Sequence, residues 1–325
     1  MKKNNYIKLH VPNYENPFQT LDNLNSIEKR VSNDLKTKGF SVLNFPEKKF
    51  EKLANNIKSK LSDHFQNFSP GQRVQDAIHL KEIKEIASNS KIINILSKVY
   101  GRTAFPFQTL NFPTGTEQRA HSDHVHFNSI PYRFMAGVWV ALEDVDENNG
   151  PLFYYPGSHL WPALSNTEID YQLKDDNVLL FYHYYEDVWD KYADFFKVKK
   201  EYFYAKKGQC LIWASNLVHG GSAVKNKNST RWSQVSHYYF EGCSYYTPLY
   251  SSYREGYRFR KIFNLSTGKL VPNILNDAIF NQTNKLRLSS FDPKKYLDLN
   301  QDVKAAGLNP YEHFVKFGIK EERDF

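Results

Sequence analysis

Cysteine is almost missing from this chain: 325 residues carry only Cys210 and Cys243. Two thiols so far apart exclude a disulfide scaffold and a thiolate metal cluster, and predict reduced core or strand fillers in a reducing compartment. Long apolar runs are missing as well. The longest, around 135–142, falls well short of the roughly 20 residues of a membrane-crossing helix. Met1-Lys2-Lys3-Asn4-Asn5 is not followed by the apolar segment of a secretion signal, so the expected location is cytoplasmic. Blocks of like charge are also lacking. The net charge is +8, yet the 43 lysines and arginines are spread along the chain, which argues against a nucleic-acid partner. The densest basic stretch, 197–207, encloses Tyr202, Phe203 and Tyr204; it reads as a solvated helix face, with a preference for anionic small molecules left open.

What is present suffices for a sizeable core: 41% hydrophobic and 16% aromatic residues suit one large domain with a small appendage. Apolar residues at helical spacing predict helices over 21–38, 50–65 and 80–100, the last ended by Gly101. Strand patterns follow over 105–111, 121–127, 134–142, 209–213 and 230–240, with an earlier one at 40–45. The expected fold is a β-dominated α+β protein. Its core would be a double-stranded β-helix, or jelly roll, flanked by N-terminal helices. An insertion between Trp161 and Lys207 carries an amphipathic pattern around 184–192; insertions of this kind at a barrel mouth commonly form lids.

The candidate chemistry sits in His121-Ser122-Asp123, answered by His219 and then by Arg231. In a strand, residues i and i+2 share a face, so His121 and Asp123 would point together while Ser122 turns away. With His219 supplying a third ligand, two imidazoles and a carboxylate would leave open positions on a metal, as non-haem Fe(II) oxygenases require. Arg231 and Ser233 would share a face of the last strand. A guanidinium aimed into a barrel is costly unless paired, and its fork suits a carboxylate, either of a ligand or of a structural acid such as Glu143 or Asp144. Gly137 and Ala141 leave room beside Trp139. Gly220 and Gly221 are expected to let the strand end turn so that His219 faces inward. His126, at the strand parity of the ligands, and His124 are candidate substrate contacts, whereas His159 is expected to cap backbone.

Three stretches resemble the phytanoyl-CoA dioxygenase family of Fe(II)/2-oxoglutarate oxygenases: NNGPLFYYPGSH at 148–159, LIWASNLVHGGS at 211–222 and TRWSQVSHYYF at 230–240. The resemblance spans residues 25–250 or so and implies the same jelly-roll core, at about 100–245 of a catalytic domain 1–285. It implies iron on His121, Asp123 and His219, with 2-oxoglutarate and O2 as cosubstrates. Arg231 would anchor the distal carboxylate with Ser233 or Ser222, Trp139 would line the pocket, and Gln108 and Asn111 would make polar contacts, although both also fit an edge strand. The implied activity is hydroxylation of an unactivated C–H in a small polar metabolite, such as a sugar or a carrier-linked intermediate of glycan or natural-product assembly. Two other classes stay open at this point, a redox-neutral cupin-type isomerase or epimerase and a non-catalytic jelly-roll binding protein.

Residues 286–325 read as a separate helical module. Asp292-Pro293 opens one helix that stops at Gly307, and Asn309-Pro310 and Gly318 bracket a second. The string resembles a short repeat of bacterial surface proteins and glycosyltransferase-linked enzymes, which implies a partner-binding or glycan-pathway module; the residues fit equally a helical hairpin docked on the barrel.

Overall fold

The computed structural model describes residues 17–18, 24–65, 68–164, 178–251, 257–275, 278–280, 285–286, 293–314 and 323. Helix α1 (Ser26–Thr37) begins where a capping box allows. The Asn25 side chain accepts from the Ile27 and Glu28 amides, and the Glu28 carboxylate accepts from the Asn25 amide. After β1 (Phe40–Asn44) come α2 (Phe50–Ser62), β2 (Val74–Gln75), α3 (Lys81–Ala87) and α4 (Ser90–Tyr100). The expected single helix over 80–100 is therefore two. Asn89 interrupts it, because its side chain caps the new helix by accepting from the Lys91 and Ile92 amides.

The strands that follow, as far as residue 246, are β3 (Ala104–Phe112), β4 (Asn128–Ile130), β5 (Met135–Ala141), β6 (Leu152–Tyr154), β7 (Glu201–Phe203), β8 (Gln209–Ala214), β9 (His219–Gly221), β10 (Ser233–Phe240) and β11 (Ser244–Tyr246); helix α5 (Val178–Phe196) lies between β6 and β7, and short strands beyond 246 pair as two-stranded ribbons, such as Ile262–Asn264 with Lys269–Val271. One antiparallel sheet has the order β1-β8-β5-β10-β3-β2, and a smaller one β7-β6-β9. Alternation decides what each face covers. Val138 and Val140 of β5 and Ile212 of β8 turn outward to pack with Val31, Leu53, Ile57 and Leu96 of the helices. Trp139, Leu211, Trp213 and Val235 turn inward and meet Leu152, Tyr154 and Phe203 of the small sheet. Phe153 and Tyr155, on the other side of that sheet, carry Tyr185 and Trp189 of α5. The result is a mixed α/β protein of stacked antiparallel sheets with helices outside both. No helix among the described residues is long and apolar enough to cross a membrane.

Several local expectations are corrected. The segment 121–127 is not a strand: His121 makes an isolated bridge to His219, and Asp123–Val125 is a turn of 3-10 helix. β10 starts at Ser233, two residues after Arg231. The basic stretch is no helix face either. Lys197 to Lys200 follow α5, β7 is an edge strand, and Lys200, Lys206 and Lys207 are paired to Asp190, Asp144 and Glu51.

At the C-terminal end the expected first helix is split into Pro293–Leu299 and Gln301–Ala305, with Pro310–His313 beyond Gly307, whose φ of 63° gives the left-handed stop. Asp292 and Gly318 lie outside the described residues. Tyr296, Val303 and Phe314 of this module pack with Tyr246 and Phe259 of the larger part.

Candidate metal centre

His121, Asp123 and His219 come together as a buried group whose donor atoms lie within 4.8 Å of one another. The bridge between His121 and His219, with each amide donating to the other's carbonyl, aligns the two imidazoles. Asp123 joins them although no strand continues past His121. Ser122 is extended (φ −124°, ψ 147°), and one extended residue is enough to bring i and i+2 to the same side.

Each donor is oriented by a hydrogen bond behind it. His121 Nδ1 donates to the Arg119 carbonyl at 2.8 Å and His219 Nδ1 to the Leu217 carbonyl at 3.0 Å. A carbonyl can only accept, so the protons sit on Nδ1 and both Nε2 atoms face the centre free to ligate. Asp123 Oδ1 is 3.9 Å from each Nε2. Its Oδ2 is taken instead by the Trp213 indole N–H at 2.7 Å and lies 3.5 Å from His237 Nε2. Burial, reinforced by His219, pushes the His121 pKa down to about 3. Asp123 moves well below the usual carboxylate range although burial opposes this, because His219, His237 and His121 surround it. A neutral imidazole at His121 and an ionised carboxylate at Asp123 are forms a divalent metal needs. With nitrogen, nitrogen and oxygen donors on one side and a cavity on the other, the set fits Fe(II).

The same cavity is lined by Leu110, Trp139, Val235, His237 and Arg231. Arg231 is 1% exposed. Its backbone amide donates to the Pro113 carbonyl, extending the β10–β3 ladder beyond the strand end. One guanidinium nitrogen donates to the Thr114 carbonyl at 3.3 Å, whereas Nε and Nη1 have no hydrogen-bond partner among the described residues. Burial lowers its pKa to about 10, against the pull of Glu143. The structural acids are otherwise engaged. Glu143 accepts from the Trp232 amide and Lys58, and Asp144 from Lys206 and the Lys207 amide. The Trp139 ring lies 5.4 Å from the guanidinium. These features fit an incoming dicarboxylate such as 2-oxoglutarate, for which two guanidinium nitrogens remain.

The other sequence candidates scatter. Ser233 is fully buried, and its hydroxyl has no partner among the described residues, but it is not among the residues lining the cavity. The Ser222 hydroxyl also has no partner, but Ser222 is not among the residues lining the cavity. Gln108 reaches the inner face, where its side-chain oxygen binds His237 Nδ1 at 2.9 Å. Asn111 has the opposite parity and donates to Gln234 on the helix side of the sheet. His124 is fully buried against Ser122 and Tyr185, away from the cavity lining. The 3-10 turn breaks the strand parity assumed for His126, which instead meets the Tyr182 hydroxyl at 3.4 Å. Trp139 lines the cavity, but the position over Gly137 is filled by protein: a Cβ there would stand 2.2 Å from the Trp213 ring. Gly220 and Gly221 serve close approach to 116–118 and Phe153, not a turn, since their φ values are not positive. His159 does cap backbone, through Nε2 to the Lys36 carbonyl. His237 and Trp213 were not anticipated; the inward alternation Ser233, Val235, His237 was the available signal for the first.

The match to known proteins runs through this site. At the sequence level, the chain is 25% identical over 191 residues to the peroxisomal phytanoyl-CoA dioxygenase of Rattus norvegicus, covering 55% of this chain and 54% of that protein. The matched region thus spans about half the length of that relative. Among solved structures, the non-heme alpha ketoglutarate dependent carbocyclase SnoK of nogalamycin biosynthesis superposes with a TM-score of 0.52 at 15% identity, over 69% of this chain and 87% of that one. The epimerase SnoN of the same biosynthesis gives 0.50 at 16%, over 67% and 85%. At such identities these two speak for the fold alone. The family model described as Phytanoyl-CoA dioxygenase (PhyH) matches residues 37–232, which takes in the triad, Trp139 and Arg231. The chain belongs to the phytanoyl-CoA dioxygenase family of Fe(II)- and 2-oxoglutarate-dependent oxygenases.

Proposed function

We propose that this chain is a hydroxylase that uses Fe(II), 2-oxoglutarate and O2 to oxidise an unactivated C–H of a small polar metabolite, such as a sugar or a carrier-linked biosynthetic intermediate. The observation that carries this reading is Arg231, a buried guanidinium with two unpaired nitrogens in the cavity that also holds the triad. An unpaired buried cation is costly and calls for an anionic ligand at that place, and a redox-neutral metal enzyme needs no buried cosubstrate anchor. The stacked antiparallel sheets support reading the core as a double-stranded β-helix, with 1–285 as the catalytic domain and 286–325 as an accessory module.

In this reading His121, His219 and Asp123 Oδ1 hold the metal, while Trp213 and His237 keep Oδ2 turned away from it. Arg231 takes the distal carboxylate of 2-oxoglutarate, the Ser233 hydroxyl assists, and Trp139 bounds the slot. Iron held by these three residues would supply the coupling of O2 reduction to oxidative decarboxylation of 2-oxoglutarate, with succinate and CO2 as its products and the second oxygen atom going to the substrate. With iron held there, the Asp123 carboxylate would fill the position a halide would need, which would favour hydroxylation or desaturation over halogenation. His126 is the candidate substrate contact that remains.

Anaerobic addition of Fe(II) and then 2-oxoglutarate should produce a weak visible charge-transfer band, and aerobic turnover should release succinate. A folded, iron-loaded protein without that band would sink the proposal. Candidate substrates are then ranked by how far they accelerate succinate release and by a product one oxygen heavier.

A further inference from the structure

We infer that helix α5 is not a lid over the metal centre but a part of it, with Tyr185 as a positioning residue that holds the His121-Ser122-Asp123 segment from its second edge. The inference rests on His121, Asp123 and His219 being metal ligands.

The backbone geometry leads to this assignment. In extended chain, the N–H and C=O of one residue point to the same edge, and successive residues point to opposite edges. His121 presents its pair to β9, where both groups bond with His219. Ser122 must therefore present its pair the other way, where no strand among the described residues pairs with it. The Tyr185 hydroxyl stands there in place of a strand: it accepts from the Ser122 amide at 3.0 Å, donates to the Ser122 carbonyl at 2.9 Å, and is 2.9 Å from the Ser122 hydroxyl. Ser122 and Tyr185 are both buried, so no solvent replaces this atom if it is removed. Helix α5 also grips the residue behind His121. Arg119, whose carbonyl orients His121 Nδ1, pairs with Glu186 at 3.4 Å and with Asp187. Three consecutive residues of one helix, Tyr185 to Asp187, thus hold both flanks of the first imidazole ligand.

The helix is itself seated by Trp189 and Ala193 against Phe153 and Tyr155, and by a second hydroxyl contact, Tyr155 to Asp190 at 2.6 Å. That contact fastens the same helix without touching the ligand segment, which makes it the comparison the test needs.

Anaerobic Co(II) titration of the full chain, read by the visible d–d bands, is run on wild type, Tyr185→Phe and Tyr155→Phe, with thermal unfolding of each. Tyr185→Phe keeps the ring and loses the hydroxyl. It should weaken Co(II) binding about tenfold or more, within the range seen when groups behind metal ligands are removed, and it should shift the d–d bands. Tyr155→Phe should lower the melting temperature and leave Co(II) affinity and bands at wild-type values. If Tyr185→Phe retains both, or if the two variants weaken Co(II) equally, the positioning role is overturned. Hydrogen exchange on wild type decides the matter even if Tyr185→Phe does not fold. Coupling is reciprocal, so Co(II) should slow exchange in 182–190 as well as in 119–126; slowing confined to 119–126 would overturn the inference. Wild type that binds no Co(II) would instead overturn the metal-site reading itself.

Discussion

The two halves of the cavity are built on opposite plans. On the metal side, hydrogen bonds stand behind the ligands: Arg119 and Leu217 carbonyls behind the two imidazoles, Trp213 behind Asp123, and Tyr185 behind Ser122. On the Arg231 side, polar atoms are buried without partners among the described residues, namely two guanidinium nitrogens and the Trp139 indole nitrogen. The difference teaches what each half awaits. A metal forms short directional bonds and gains from donors already aimed, whereas a dicarboxylate brings its own acceptors and gains from donors left over.

Removing the ligands tests this division most severely. Asp123→Ala or His219→Ala should abolish iron binding and turnover and leave the fold intact, as checked by metal titration beside circular dichroism. Normal turnover in either variant would mean that the triad is misassigned. Arg231→Lys should follow, with the bidentate fork lost and the charge kept. Its 2-oxoglutarate affinity should fall ten- to a hundredfold, or about 1.5–3 kcal/mol, with Fe(II) affinity unchanged. Isothermal titration with each ligand separates this from a structural role, in which thermal stability would fall and cosubstrate affinity would not. Arg231→Met sharpens the same point. It replaces an underpaired buried charge with an apolar chain, so the ligand-free protein should melt no lower than wild type, while added 2-oxoglutarate should no longer raise the melting temperature.

On the other half, Trp213→Phe leaves Asp123 Oδ2 without its N–H donor. Iron affinity should drop by about tenfold and 2-oxoglutarate affinity measured on iron-saturated protein should hold; a loss of both alike would erase the distinction between the halves. The smallest effect is expected from the C-terminal module. Deleting 286–325 should spare uncoupled 2-oxoglutarate decarboxylation, since every proposed ligand precedes it, at some cost in stability because Tyr296 and Val303 pack with Tyr246 and Phe259. Loss of iron and cosubstrate binding on that deletion would make the module part of the catalytic domain.

What could be read in the chain and what could not divides along sequence distance. His121 and Asp123 are neighbours, His219 and Arg231 stand in recognisable strings, and helix starts such as Asn25 announce themselves by local caps. The proposed i,i+2 relation survived the loss of the expected strand because it needs only one extended residue. The single helix expected over 80–100 failed at Asn89, where a side chain bonded its own backbone in competition with the helix. Gly137 looked like space for a ligand because the sequence shows which side chain is absent and not which one arrives from β8 to fill the gap.

The sequence by itself supplied the candidate ligand set, the candidate anchor Arg231 and the family resemblance, since each depends on residue types that few other roles require at those positions. Tertiary structure alone decided what holds them. Trp213 reaches Asp123 across 90 residues, Gln108 reaches His237 across 129, and Tyr185 reaches Ser122 across 63. A hydrogen bond depends on positions good to a few tenths of an ångström, and those are set only when the two sheets and α5 close over one core.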